Sequence, residues 1–292
     1  MKLKNVILSL AVACAVPAIQ AQAMLPDDVP LANITHDAGL SSIFRTWGFI
    51  GDSLSSGEHE YHKEDGSTGY ADLYDYSWGQ YMCRAMGATG DNYSQGGETA
   101  VGWLEHFWDR PNNFNNNIDA KQSPKQAYII ALGVNDCTRG DAVGDVKTDI
   151  VAGDYSKNAN TFAGNYGGII QRIKSIQPEA KIFVVTTPRD DVPRPAYNNV
   201  IRSMADVFDN VYVIDLERYA PLYNQGSNIR ENYYMGGHMT PAGYQFTAWL
   251  MMDYIDWIIR HNMDDFRQVA FIGTGKHYGC RLRKNFLWIS RV

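Results

Sequence analysis

The chain has 292 residues and a formal net charge of −6, with four cysteines, 18 tyrosines and seven tryptophans. The acidic balance excludes nucleic acid as a partner, because phosphates reward clustered Lys and Arg. The cysteine count excludes a disulfide-dense scaffold, and no Cys-x-x-Cys spacing provides for zinc or thiol redox chemistry.

Lys2 and Lys4 precede an apolar run over 6–16, and Ala21-Gln22-Ala23 offers a small-x-small cleavage site. This is the layout of a secretory signal peptide over 1–23, cut after Ala23. The run is too short to span a bilayer comfortably, so no integral membrane segment is expected, and it is short for a lipoprotein box at Cys14. Cleavage takes 23 residues from 292 and leaves 269, and losing Lys2 and Lys4 moves the charge from −6 to −8. Cys83, Cys137 and Cys280 remain, which allows at most one bridge and leaves a spare thiol.

Short β-branched runs then alternate with longer stretches of helical period, the signature of a parallel sheet covered by helices. Strands are predicted over 44–50, 91–94, 127–132, 181–186 and 211–214. The run 127–132 (AYIIAL) is apolar throughout, as a central strand buried on both faces should be. Helices are predicted over 77–86, 99–108, 160–176 and 198–207. A last one is opened by Thr240 as N-cap and Pro241 at N1, and runs to about residue 260. Five strands with intervening helices make one α/β domain, a three-layer α/β/α sandwich around a five-stranded parallel sheet. The polar stretch 57–74 reads as a long loop. The tail after Gly273 is locally basic, and its Gly-x-Gly-Lys lacks the spacing of a phosphate-binding loop.

Four polar blocks stand at the carboxyl ends of these strands. They are Gly51-Asp52-Ser53-Leu54, the 92–99 run containing Gly96-Gly97, Gly133-Val134-Asn135-Asp136, and His238 ahead of Thr240-Pro241. A parallel sheet gathers all such ends along one edge. Acyl transfer needs a nucleophile, a base, and donors that face a developing negative charge. Ser53 offers the first and His238 the second. The backbone N–H groups of Ser53 and Gly97, with the side-chain amide of Asn135, offer three donors. This chemistry calls for no metal and no organic cofactor.

The four blocks, in this order and over about 46–260, resemble the GDSL/SGNH hydrolase superfamily. The resemblance implies a flavodoxin-like sheet and ester hydrolysis, with Ser53 as nucleophile, Gly97 and Asn135 as oxyanion donors and His238 as base. It divides the mature chain into an extension over 24–45, a hydrolase domain over 46–262 and a C-terminal extension over 263–292. One departure stands out. The family places an Asp three residues before the histidine, and that position is Met235, which accepts no useful hydrogen bond. A backbone carbonyl is put first as the group that orients the imidazole. Glu58, Asp190, Asp191 and Glu231 are the carboxylates nearest the expected site, and an impaired site that only binds is the third reading.

Other polar residues have plainer roles. Asp136 is expected to fix the direction of the Asn135 amide, and Thr99 to cap a helix. Arg189 is expected either to meet an acidic or hydroxyl-bearing substrate or to form a local salt bridge. His59 and His62 lack zinc spacing and read as loop residues. Cys137, with no basic neighbour, reads as packing or half a bridge.

The signal sequence places the chain in the periplasm or at the cell surface of a Gram-negative bacterium, away from acyl-CoA. Polar, tyrosine-bearing surroundings suit a small acyl group on a sugar, so the expected partner is a small-molecule or polysaccharide ester. In this the chain resembles the family's secreted bacterial carbohydrate esterases. A secreted lipase or broad arylesterase is the rival enzyme reading and predicts an apolar groove beside Ser53. A carbohydrate-binding protein with a vestigial pocket is the non-enzyme reading.

Overall fold

The computed structural model describes residues 27–32, 34, 37–109, 119–191, 194–224 and 228–275. The signal peptide and its cleavage site, Cys14, Cys280 and the tail beyond Gly275 lie outside the described residues. Cys83 is a buried free thiol, and Cys137 is partly buried. Among the described residues no helix is long and apolar enough to cross a membrane.

Nine strands occur in chain order among the described residues: β1 (Thr46–Gly51), β2 (Glu58–His62), β3 (Thr68–Asp72), β4 (Thr89–Ser94), β5 (Ala127–Ala131), β6 (Lys181–Val185), β7 (Val211–Ile214), β8 (Tyr234–Met235) and β9 (His238–Met239). Five of them form the central sheet in the order β4-β1-β5-β6-β7, parallel throughout. The predicted five-stranded parallel sheet with helices on both faces is therefore the observed fold.

Alternation along the strands feeds two cores, because successive side chains leave opposite faces of a sheet. Trp47, Phe49, Ile129 and Phe183 face one side, where Trp78–Met86 and the long helix Pro241–His261 cover them. Ile50, Tyr128, Ile130 and Val184 face the other, under Ala100–His106, Phe162–Ile176 and Pro195–Val207. Gly48 is dictated by close approach, since a Cβ there would lie 2.4 Å from the ring of Tyr128. The first core also takes in Phe44, Phe266, Val269 and Ile272, on either side of the 46–262 stretch.

Register positions the site. Gly51 at the end of β1 pairs with Ser94 on one side and Ala131 on the other. The loops that begin at Asp52, Gln95 and Leu132 therefore leave the sheet side by side.

Two features differ from the sequence expectation. The stretch 57–74 is an antiparallel hairpin, with Glu58 opposite Asp72 and His62 opposite Thr68. Glu-His-Glu-Tyr-His has no apolar alternation, so the usual sign of a strand is missing, yet backbone pairing and a turn at Asp65-Gly66 close the ladder. His59 and His62 are therefore strand residues. The second is the helix Pro195–Val207, which starts three residues before its expected N-terminus because Pro195 takes N1, where no amide hydrogen is needed.

Candidate active site

Ser53 opens the short helix Ser53–Ser56 at the end of β1 and is half-buried. Its position is fixed from both sides. Asp52, the N-cap, accepts the Leu54 N–H at 2.9 Å. The Tyr244 hydroxyl, on the Pro241–His261 helix, lies 3.2 Å from the carbonyl of Ser53 and 2.8 Å from that of Glu58. Asn92 on β4 adds a third tie by donating to the Ser55 carbonyl at 2.8 Å.

The loops after β4 and β5 are bound to one another. Gly97 has φ +75°, a left-handed backbone that excludes most side chains, and its carbonyl accepts from Arg139 at 2.7 Å. Asn135 lies in the helix Val134–Arg139, and its amide donates to the Glu98 carbonyl at 3.0 Å. An amide carries two N–H groups, so one remains for another acceptor. Contrary to the expectation from sequence, Asp136 does not hold that amide. It accepts the Ala100 N–H at 2.9 Å, tying the Asn135 helix to the start of the helix that follows Gly97. Thr99 caps that helix through the Gly102 N–H, as predicted.

His238 opens β9, which packs against both Ser53–Ser56 and β2. Its ring lies between two carboxylates. Nδ1 is 2.8 Å from Glu60 Oε1 and Nε2 is 2.9 Å from Glu58 Oε1. Glu60 Oε1 also accepts the Gly237 N–H at 2.8 Å, so one oxygen sets both the ring and its backbone. Tyr70 of β3 meets the imidazole edge-on, with centroids 5.5 Å apart. Arg189 donates to the Gly237 carbonyl at 2.7 Å while paired with Asp191, and Tyr223 donates to the Gly236 carbonyl at 2.7 Å.

The orienting group is thus a carboxylate from the hairpin and not a backbone carbonyl. Met235 merely pairs with His238 across the β8–β9 turn. Of the four carboxylates considered from sequence, only Glu58 reaches the ring, and it does so on the nitrogen opposite the orienting one. Asp190 accepts from Asn224, Asp191 pairs with Arg189 and Arg194, and Glu231 is exposed. Glu60 is not singled out by the sequence reading, because the residues around it show no apolar alternation and resemble a loop. Its available signal was the Glu-x-Glu spacing ahead of Asp65-Gly66, which puts two carboxylates on one face of a strand ending in a hairpin turn.

Charge at the site is acidic. Burial works to lower the His238 pKa and is the largest single influence. Hydrogen bonds to Glu58 and Glu60, and their charge, outweigh it and hold the ring above the ordinary histidine value. Burial raises the Asp52 carboxyl to about 7, against the Leu54 N–H, with Asp136 adding to the rise. Asp136 itself is pushed up to about 6 by burial. Behind the Ser53 loop lies an apolar cavity bordered by Leu54, Trp78, Val134, Tyr234, Met239 and Phe246. Among the described residues no group of three or more His, Cys, Asp or Glu could hold a metal ion.

A serine turn, a glycine turn, an asparagine turn and a histidine turn on one edge of a parallel sheet match what an acyl-transfer hydrolase class requires. The sequence model of the GDSL-like Lipase/Acylhydrolase family matches residues 49–246, and the chain belongs to that family. It is a carboxylic ester hydrolase of the GDSL/SGNH type. Among solved structures, a protein from Lactobacillus plantarum is similar at 16% identity and a TM-score of 0.51, over 73% of this chain and 97% of that one. A possible lipase from Chitinophaga pinensis is 17% identical with a TM-score of 0.47, over 75% of this chain and 98% of that one. A family two carbohydrate esterase from Clostridium thermocellum, in complex with cellohexaose, is 16% identical with a TM-score of 0.47. That match takes in 76% of this chain and 65% of the esterase, so this chain spans less than two thirds of its length. At 16% identity the likeness to the Lactobacillus plantarum protein is one of fold. No curated protein matches the sequence.

Proposed function

We propose that the chain is a secreted serine esterase that removes small acyl groups, acetyl above all, from carbohydrate. The observation that carries this reading is the Glu60 carboxylate on His238 Nδ1, on the loop packed against Ser53. It supplies the orienting and charge-stabilising acid that Met235 cannot.

The reaction is two-step acyl transfer. With Nδ1–H held by Glu60, neutral His238 presents the Nε2 lone pair and takes the Ser53 proton as Oγ attacks the ester carbonyl. The backbone N–H groups of Ser53 and Gly97 and the remaining amide N–H of Asn135 receive the oxyanion. Protonated His238 returns its proton to the departing alcohol, and water then repeats the attack on the acyl-Ser53 ester. None of these steps calls on a metal or organic cofactor.

The substrate class rests on the rim. Tyr61, Tyr70 and Tyr76 are about half exposed on the hairpin and the turn after it, and Tyr70 borders His238. Aromatic faces bind the apolar face of a sugar ring while their hydroxyls reach its edge. Glu58, Glu60, Asp72 and Asp52 surround the base, a field that disfavours anionic esters. Export rests on the N-terminal sequence and is tested by N-terminal sequencing of the mature protein from the periplasm or cell surface.

A second reading, a secreted lipase or arylesterase, is favoured by the apolar cavity behind the Ser53 loop. The test compares acetate release from acetylated glycans with turnover of p-nitrophenyl acetate and its longer-chain homologues, beside Ser53→Ala and His238→Ala. Acetylated glycan and p-nitrophenyl acetate as best substrates, with both variants inert, support the sugar esterase. Preference for long chains supports the lipase. Wild type as inert as Ser53→Ala on every ester leaves a binding protein.

A further inference from the structure

Glu58 takes part in no step of that mechanism, yet its carboxylate occupies the nitrogen the mechanism needs. His238 Nε2 is 2.9 Å from Glu58 Oε1, and Ser53 Oγ makes no hydrogen bond with the ring. A carboxylate can only accept, so a ring with both nitrogens on carboxylates donates from both and is an imidazolium without a lone pair. The carboxylate is fixed in place as well. Its Oε2 lies against Gly96, where a Cβ would come within 2.1 Å of it, and the Glu58 carbonyl is held by Tyr244. The Glu58 side chain therefore lies between the base and the loop that carries Gly97.

We propose that Glu58 is a gating residue that holds His238 in a proton-loaded resting state and must release Nε2 before Ser53 is activated. This rests on the reading of His238 as the base. Opening the gate moves one proton and breaks one contact. The Nε2 proton passes to solvent, Glu58 withdraws, and the neutral ring keeps Nδ1–H on Glu60. A hydroxyl-bearing substrate entering between His238 and Gly96 offers Glu58 donors in place of the ring, so occupancy and activation are linked.

The gate's setting follows from everything charged that faces the ring. From the hairpin come Glu58, Glu60, Asp72 and the ring of Tyr70. The nucleophile loop supplies Asp52, and the long helix supplies Tyr244. The loop after β6 supplies Arg189, which grips the Gly237 carbonyl but is neutralised by Asp191. Carboxylates outnumber unpaired cations, so the loaded state persists above the ordinary histidine value.

The test uses the whole mature protein and two readouts. The His238 ring is titrated by NMR, and the pH profile of kcat/KM on p-nitrophenyl acetate is recorded, for wild type, Glu58→Gln and Glu58→Ala. Removing one carboxylate from the ring lowers its midpoint by about one pH unit, so the acid limb moves down equally and kcat/KM near about pH 5.5 rises about tenfold over wild type. Glu58→Gln preserves shape, which separates loss of charge from loss of fold. A ring midpoint and acid limb unmoved in both variants overturn the gate, as does activity lost at every pH with the ring titration unchanged. Should wild type prove as inert as Ser53→Ala while the ring midpoint still falls on removing Glu58, the esterase reading fails and the contact at Nε2 stands.

Discussion

Glu60→Gln separates the charge of the orienting acid from its shape. In the wild type Glu60 Oε1 accepts from both His238 Nδ1 and the Gly237 N–H, each at 2.8 Å. A glutamine can keep its oxygen on both donors, so the ring's direction and tautomer survive while the negative charge goes. The loss is felt where the ring becomes cationic, in the transition state. Unit charges about 4 Å apart attract by about 4 kcal/mol at an effective dielectric of about 20. The Glu60 side chain is 18% exposed. Solvent screening at that exposure reduces the attraction to about 3 kcal/mol, or about 10²-fold in kcat. The acid limb moves down with it, because a ring that loses a carboxylate is harder to protonate. Steady-state hydrolysis of p-nitrophenyl acetate from about pH 5 to 9 measures both, with the His238 resonances reporting that the ring stays in place. A kcat within about threefold of wild type across that range refutes the argument, and His238 then works as a plain dyad base.

Further outcomes follow from the same geometry. Asn135→Ala removes one oxyanion donor and lowers kcat by about 10²-fold or more with KM little changed, measured on the same ester. Tyr70→Ala raises KM for acetylated oligosaccharides severalfold more than for p-nitrophenyl acetate, a comparison that isolates sugar stacking from chemistry. Asp52→Asn tests the buried carboxyl whose pKa is about 7. Because its folded value is raised, its contribution to stability is fully present below the unfolded pKa of about 3.9 and is lost as pH rises through about 7. Urea unfolding should therefore show wild type losing on the order of 4 kcal/mol against the variant over that window. Gly48→Ala drives a methyl into the Tyr128 ring and costs about 1–3 kcal/mol, read as a lower urea midpoint at unchanged slope.

The sheet was legible because its strands are apolar on both faces, and burial on both faces leaves continuous runs such as AYIIAL. The positions of Ser53, Gly97, Asn135 and His238 in the fold were legible for a different reason. Each follows such a run, or precedes a capped helix, so its place on the sheet edge follows from topology. The hairpin over 58–72 was not legible, because its residues face solvent and the site, leaving no hydrophobic period to read. Glu60 lies 178 residues from His238, and nothing local announces that pairing. The double hold on the imidazole depends on side-chain direction, which strand assignment alone does not give. Asp136 shows the same limit at short range. Adjacency to Asn135 suggested a partner, whereas the helical turn sends its carboxylate to Ala100.

Carrying the orienting acid on the hairpin changes how the site is put together. Where acid and base share one loop, a local turn builds the pair before the rest of the chain has settled. Here the proposed nucleophile Ser53 and acid Glu60 lie within one short segment near the start of the domain, and the proposed base, His238, arrives from near its end. The long helix that follows His238 is tied to that first segment by Tyr244, whose hydroxyl reaches the carbonyls of Ser53 and Glu58. The relay is complete only after the last large element has docked, so a truncated or half-folded chain exposes a serine with no base to activate it. On the proposed roles, the chain stays chemically silent until that final long-range contact closes.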